Sequence, residues 1–260
     1  MSEFAAARTL IQMAELPPVA AFAADSIEGG GMPTFDVDKD QALVVGSNVV
    51  SFTNGVEADF RQAISDSALF AQLATLGKVG VNADPMAFTD YYLGTLLKLG
   101  WMVQKRDTGE FTYKGDSFDV HEAVIGLITT FLAPISGAAA AVIAVLKGLH
   151  NMNASAPFIT LFNKQSVHGT IGHFQMTYVH MDPDHGLSAE VMAFALDADN
   201  KLTQVLFFRL TKKRTHLRRS LATLSIDTAA ITALHPNIAA RIKDYRTSFI
   251  ADAPFGPVEA

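Results

Sequence analysis

The strongest constraint on this fold is a long stretch without a charged side chain, residues 123–146. As one straight helix its 24 positions would reach about 36 Å at ~1.5 Å per residue, which is enough to cross the hydrocarbon of a bilayer. Pro134 lies inside it, and Ser136 and Gly137 follow, so the stretch is predicted to form a Pro-kinked helix or a helical hairpin.

This uncharged run has two interpretations. In the first, which we favour, it is a central helical hairpin buried on all sides by a sheet and by other helices. In the second, it inserts into a membrane or lines a pocket for an acyl chain. Pro134, the many alanines and the lack of Arg, Lys or Trp flanks at both ends favour the first. Asp119 and Glu122, three positions apart, have the form of a capping box at its start.

Patterns before the run predict further strands and helices. Residues 43–52 are rich in β-branched side chains and end at a turn signal, Asn-Gly, at 54–55. Residues 101–113, with Asp-Thr-Gly at 107–109, predict a short hairpin. Two helices are predicted at 57–76 and 85–100.

After the run, short apolar segments separated by turn signals predict a sheet. The strand candidates are 158–162, 171–180, 187–196, 202–210 and 221–226. Connections this short allow only antiparallel neighbours, so these segments predict a β-meander. A final helix is expected to be capped by Asp227 and divided at Pro236.

The order of helices, then strands, then a helix predicts the α+β class, an antiparallel β-meander sheet with one face covered by helices. Residues 1–41, punctuated by Pro17, Pro18 and three consecutive glycines, are predicted as a partly irregular N-terminal extension. Residues 42–260 are predicted as a single domain, because no linker or internal repeat divides them.

Composition excludes several classes of protein. With 49% hydrophobic and 18% charged residues the chain is not intrinsically disordered. It has no cysteine, so disulfides, thiolate metal sites and cysteine nucleophiles are excluded. A net charge of −6 argues against a nucleic-acid partner. No conventional signal peptide is recognised, so a cytoplasmic protein, or one released by another route, is expected, with peripheral membrane association.

Basic residues crowd into one segment of this acidic chain. They are Arg209, Lys212, Lys213, Arg214, Arg218 and Arg219. Such a cluster attracts an anionic lipid surface, each charge contributing on the order of 1 kcal/mol near it. It also fits a solvated turn between strands, where basic side chains protect a sheet edge.

Histidines and aspartates concentrate between residues 168 and 185. The candidate metal ligands are His168, His173, His180, Asp182, Asp184 and His185. Imidazole and carboxylate together bind divalent metals, but the spacing matches no established loop. On one strand His173 and His180 would point to opposite faces. This favours, over a metal site, a polar turn with histidines on the solvent-exposed face of the sheet. His121 and Glu122 have the form of an acid–base pair, or of helix capping, and no catalytic residue is assigned.

Several sequence strings resemble landmarks of a widespread bacterial and fungal family of undetermined role. They are Val44-Val45-Gly46-Ser47, Ala68-Leu69-Phe70-Ala71-Gln72-Leu73, Val120-His121-Glu122-Ala123, Phe158-Ile159-Thr160-Leu161-Phe162 and Thr203-Gln204-Val205-Leu206-Phe207-Phe208. The resemblance implies no catalytic residue. The architecture is also similar to that of the Erwinia virulence factor, a lipid-modified, membrane-associated protein. Its acylation needs a cysteine, which this chain lacks.

The sequence therefore favours a non-enzymatic protein that engages lipid or an anionic membrane surface, in a toxin-like or virulence setting. Residues 123–146 would be its apolar element and residues 209–219 its electrostatic contact. No cofactor is predicted, although a fatty acid or lipid fits the second interpretation of the uncharged run, in which it lines a pocket for an acyl chain. Two alternatives stay open: a metal-dependent hydrolase using residues 168–185, and a subunit that self-assembles through a sheet edge or the apolar helix.

Overall fold

The computed structural model describes residues 4–21, 32–113, 117–151, 157–168, 170–197, 202, 209–211 and 215–252. The helices are α1 Ala5–Met13, α2 Ala58–Val79, α3 Pro85–Lys98, α4 Val120–Leu132, α5 Ala138–Asn151, α6 Pro157–Ser166, α7 Thr228–Ile242 and α8 Arg246–Phe249. The strands are β1 Gln41–Val45, β2 Asn48–Phe52, β3 Trp101–Tyr113, β4 Ser117–Asp119, β5 Val167–His168, β6 Ile171–Asp182, β7 Gly186–Asp197, β8 Arg209–Thr211, β9 Thr215–Ile226 and β10 Ile250–Asp252.

The main sheet has the strand order β10-β1-β2-β6-β7-β9-β3, and β5 pairs with the end of β6. The three long strands β6, β7 and β9 pair antiparallel in chain order, as the predicted meander requires. Elsewhere the sheet departs from a pure meander. The strand β2 pairs parallel with β6, and β3 pairs with β9 although more than a hundred residues separate them. The α+β class with a largely antiparallel sheet is confirmed.

Helices cover both faces of this sheet, whereas the sequence predicted one covered face. Strand residues alternate between two apolar clusters because successive side chains point to opposite faces. Val179, Val191 and Leu224 pack with α1, α2, α3 and α7 in one cluster. Met176, Met192 and Leu221 pack with α4, α5 and α6 in the other. We call these the α2 face and the α4 face of the sheet.

The uncharged run forms two helices, α4 and α5, joined by a turn at 133–137 that contains Pro134. Gly137 takes a positive φ of 75°, which ends this turn without a Cβ clash. The expectation that the run is buried on all sides is wrong. Val124, Ile128 and Leu132 are buried against the α4 face, but the opposite side of each helix is exposed or half-buried. The pair is a covering layer of the sheet.

The predicted hairpin at 101–113 is wrong, because this segment is one strand, β3, paired with β9 along its whole length. The residues that predicted a turn instead contact an arginine of the neighbouring strand. Asp107 accepts a hydrogen bond from Arg219 at 2.5 Å, and a Cβ at Gly109 would lie 3.2 Å from that guanidinium. Residues 43–52 form two strands, because Gly46 takes a φ of 60° and turns the chain between β1 and β2.

Two other local predictions are wrong, and one lies outside the described residues. Residues 158–162 belong to the helix α6, because a continuous apolar run of five residues has no period that separates strand from helix. Pro236 lies inside a continuous α7, whose buried Ile231, Leu234 and Ile238 outweigh the missing hydrogen bond. Most of the predicted strand at 202–210 falls outside the described residues.

Aspartate side chains cap two helices, of which the sequence predicted the one at Asp227. Asp84 accepts hydrogen bonds from the backbone N–H groups of Met86 and Ala87 at 2.9 and 3.1 Å at the start of α3. Asp227 does the same for α7, with Ala229 and Ala230 at 2.9 and 3.0 Å. Both carboxylates also lie at the positive end of a helix dipole.

Candidate functional site

A groove of about 500 Å³ lies where the end of α4 meets the edge of the sheet. One wall is apolar and comes from Leu127, Phe131 and Pro134 of the uncharged run. The other wall is charged and comes from Lys105, Arg106, Asp107 of β3 and Arg219 of β9. The groove therefore places an uncharged helix surface beside three cations and one carboxylate.

Strand alternation explains the charged wall. Arg219 shares its side of β9 with Leu217 and Leu221, which pack in the α4-face cluster. In the β3–β9 register, Asp107 lies opposite Leu221, and Lys105 lies opposite Thr223. Their side chains therefore project to the same side as Arg219. Lys105 is exposed, and Arg219 is held by its ion pair with Asp107.

Arg106 has a different attachment. Its guanidinium forms an ion pair with Asp90 of α3, and its Nε donates to the Ser220 hydroxyl at 3.0 Å. Ser220 lies on the α2-face side of β9, so Arg106 reaches around the sheet edge toward α3. It lines the groove but is anchored on the other face.

Helical spacing explains the apolar wall. Leu127 and Phe131 are four residues apart on α4, so they lie one above the other on one side of the helix. Both are half-buried, whereas Thr130, between them in sequence, is exposed. Pro134 is exposed in the turn that follows α4. This surface therefore meets solvent with side chains of little polarity.

The predicted basic cluster does not form one surface among the described residues. Arg218 points to the α2 face, where it pairs with Asp84 at 2.7 Å and Asp197 at 3.5 Å. Arg219 points to the α4 face. Three members of the cluster, Lys212, Lys213 and Arg214, lie outside the described residues. Arg209 is described only as backbone. Of the two members whose side chains the structure describes, Arg219 lines the groove and Arg218 does not.

Sequence reasoning missed Lys105, Arg106 and the apolar residues of α4 as members of one site. The side of α4 that carries Leu127 and Phe131 follows from helical spacing and was available from the sequence. The charged wall was not, because it depends on pairing between β3 and β9, which are distant in the chain.

The predicted metal ligands are dispersed. His173 is buried under α3 on the α2 face, and His180 stacks on Tyr178 on the α4 face, so the expected opposite orientation is confirmed. Asp182 accepts from His185 at 3.0 Å in the β6–β7 turn, with Asp184 beside them. Among the described residues, no three His, Asp or Glu side chains form a group that could hold a metal ion. The described side chains therefore give no support to the metal-site hypothesis.

Two histidines in this region have lowered pKa values. Burial and, to a smaller extent, the neighbouring His168 together lower the pKa of His173 to about 4, and Asp84 opposes the shift. Burial also lowers the pKa of His168, which lies at the end of β5, although the Gln165 backbone opposes this. His121 is half-buried and Glu122 exposed in the first turn of α4, where a negative charge favours the helix dipole.

Comparison with known proteins gives structural likenesses alone. No protein-family model matches the chain, and no curated protein matches it in sequence. It is similar to a delta-endotoxin, with 12% identity and a TM-score of 0.40 over 81% of this chain and 90% of the other. It is similar to the Evf virulence factor, with 9% identity and a TM-score of 0.34 over 95% and 91%.

A third likeness is to the activated Cyt2Ba monomer from Bacillus thuringiensis subsp. israelensis, with 10% identity and a TM-score of 0.32 over 64% and 93%. The architectural resemblance to a virulence factor expected from the sequence is thus found at low similarity. At these values the likenesses support no inference about activity, and the widespread family stays a prediction. Within the described residues, no helix combines the length and the apolar character needed to span a membrane.

Proposed function

We propose that this protein binds the surface of anionic membranes without crossing them, using the groove at the end of α4. In this proposal the lipid phosphates contact Lys105 and Arg219, and Phe131 and Pro134 enter the acyl boundary. The observation that carries it is the groove itself, in which an uncharged helix surface and cationic side chains line one concavity.

Charge supports the cationic half of this proposal. The whole chain carries a net charge of −6, so a membrane with negative lipids would repel most of its surface. Along the groove wall Arg219 pairs with Asp107 and Arg106 pairs with Asp90 of α3, so the exposed Lys105 supplies the excess positive charge of the groove. Attraction is expected to act over about a Debye length, so the groove would orient the protein on the membrane.

Apolar surface supports the second half. An interfacial helix buries its apolar side to a depth of about 5–10 Å in the headgroup boundary. Residues 123–146 supply such a side with no charged residue to desolvate. Ala133, Pro134, Ser136 and Gly137 are exposed and small at the tip, so they can approach lipid closely.

Flotation with vesicles of phosphatidylserine and phosphatidylcholine tests the proposal. We expect binding to the anionic vesicles at low salt that weakens as salt is added, and little binding to pure phosphatidylcholine. Lys105→Glu changes the charge by two units, worth about 2 kcal/mol, so the apparent affinity is expected to fall roughly thirtyfold. Lys98→Glu, an exposed residue at the end of α3, makes the same charge change away from the groove and should have little effect.

The apolar half needs its own variant. Phe131→Ser is expected to weaken binding at least about tenfold, because a buried aromatic side chain contributes ~1.5–3 kcal/mol. Leu97→Ser, which removes an exposed leucine of α3, is the matched control. Equal effects of each variant and its control, or no binding at low salt before and after mild acid, would rule the proposal out.

A further inference from the structure

A second concavity lies on the α2 face, far from the groove in the fold. It is a cavity of about 80 Å³ between the β1–β2 turn, α2, the start of α3 and the α6–β5 junction. Its polar lining includes Ser47, Gln72, Gln165, His168 and His173, and its apolar lining includes Phe88. Val81 and Asn82 also line it and are exposed, so the cavity opens at the loop between α2 and α3.

The hydrogen bonds around His173 determine which of its ring nitrogens carries the proton. The Thr89 hydroxyl donates its single proton to the Pro85 carbonyl at 2.9 Å. Its oxygen must therefore accept from His173 Nε2, which lies 3.3 Å away. Because the buried ring is neutral at physiological pH, Nδ1 carries no proton and is a hydrogen-bond acceptor.

Ser47 has the same character. Its hydroxyl donates to Gln72 Oε1 at 3.4 Å, and Gln72 is committed further because its Nε2 donates to the Val45 carbonyl at 2.8 Å. The Ser47 oxygen therefore keeps its accepting capacity. Ser47 and His173 thus both offer acceptors, which match a ligand that brings several O–H donors.

The lack of charge in the cavity lining and the small volume of the cavity restrict the class of ligand further. The lining residues include no Asp, Glu, Lys or Arg, so an ionic ligand would have no counter-charge there. One buried water needs ~10–15 Å³ of cavity volume, so a cavity of about 80 Å³ has room for roughly six non-hydrogen atoms of the size of a water oxygen. Phe88, which packs edge-on against His173 with ring centroids 4.8 Å apart, gives an apolar wall for a carbon skeleton.

We infer that this cavity binds a small uncharged polyol of about the size of glycerol. Its hydroxyl groups donate to Ser47 Oγ and His173 Nδ1, its carbon atoms pack on Phe88, and the amides of Asn82 and Gln165 supply donors to its oxygens. This site is independent of the membrane-contacting groove, since it lies on the other face of the sheet.

Saturation-transfer NMR with three-carbon probes tests the inference on the full chain. Glycerol is expected to receive saturation from the protein. 1-Propanol, which lacks two of the hydroxyls, and glycerate, which carries a charge, are each expected to receive at least about fivefold less. The ¹⁵N resonance of His173 Nδ1 is expected to move on addition of glycerol, because an acceptor nitrogen gains a hydrogen bond. A stronger signal from 1-propanol or from glycerate would overturn the inference.

Two variants place the signal in the cavity. Ala83→Phe fills the mouth from a half-buried position and leaves the core intact, so it should abolish the glycerol signal. Ser47→Ala removes one acceptor and should reduce the signal several-fold. Ser136→Ala, an exposed serine in the α4–α5 turn, is the control and should leave it unchanged. A glycerol signal that survives Ala83→Phe would show nonspecific contact only and would overturn the site.

Discussion

The two faces of the sheet are covered by helices of different chemistry. On the α2 face, buried charges are paired: Asp66, fully buried in α2, accepts from His235 at 2.8 Å and from both Nε and Nη2 of Arg246. Arg61, also fully buried, donates to three backbone carbonyls. On the α4 face, residues 123–146 contribute no charged side chain, and α4 and α5 are held by apolar contacts.

This difference bears on how each layer can move. Hydrogen-bonded charges fix α2, α7 and α8 in one geometry, because separating them would leave a buried carboxylate unpaired. Apolar packing has no direction and leaves no unpaired charge when it opens. We therefore expect the α4–α5 layer to open at lower free energy than the α2 layer. Membrane binding through α4 would draw on this mobility.

The largest effect is expected from breaking the charge network. Arg246→Ala leaves the buried Asp66 carboxylate with His235 alone, and we expect the free energy of unfolding to fall by about 3–5 kcal/mol. Urea denaturation measures it. Lys243→Ala, an exposed neighbour, should change stability by less than about 0.5 kcal/mol. Similar losses for the two variants would mean that the network does not hold the α2 layer.

A matched pair of core substitutions separates the two layers. Ile64 of α2 and Ile128 of α4 are both fully buried, so each change to Ala should remove about 2–5 kcal/mol from the element that contains it. Hydrogen exchange read by mass spectrometry distinguishes them. Ile64→Ala should speed exchange throughout the protein, whereas Ile128→Ala should speed it mainly in α4 and α5. Uniform acceleration in both variants would show a single cooperative unit.

The sequence predicted what depends on local chemistry. The cap at Asp227 follows from a hydrogen-bonding side chain next to the helix it caps. The part of the predicted meander that β6, β7 and β9 form follows from the side-chain period of each strand. The break of the uncharged run near Pro134 is likewise local. The second helical layer was missed, because the exposed side of α4 is as uncharged as its buried side and the pattern resembled a fully buried helix.

Long-range pairing accounts for most of what the sequence could not give. Asp-Thr-Gly at 107–109 has the composition of a turn, but Arg219, 112 residues from Asp107, uses that carboxylate across β3 and β9. The groove could not be predicted for the same reason, because its two walls come from α4 and from a strand pair distant in the chain. The residues of the site were visible in the sequence, and their proximity was not.

Acid is expected to weaken the α2 face through His173. Its pKa is lowered to about 4 by burial, from 6.5, so the folded protein binds fewer protons than the unfolded chain between these values. Its contribution is therefore complete above pH 6.5 and is lost as pH falls toward 4, up to about 3 kcal/mol. Urea denaturation across this range measures it. His173→Phe should remove that part of the slope, and His185→Phe in the exposed β6–β7 turn should retain it.

The smallest effect on stability is expected from a substitution in the groove, on the surface of the α4–α5 layer. Thr130 is exposed on α4 and lines the groove, so Thr130→Glu should change the free energy of unfolding by less than about 0.5 kcal/mol. The same change puts a carboxylate between Phe131 and the cations, so flotation with anionic vesicles should fall about fivefold or more. Ala87→Glu, an exposed position on α3, adds an equal charge to the other layer and should leave flotation nearly unchanged. If both variants weaken flotation equally, net charge and not the groove governs binding, and the chemical difference between the two layers would have no functional meaning.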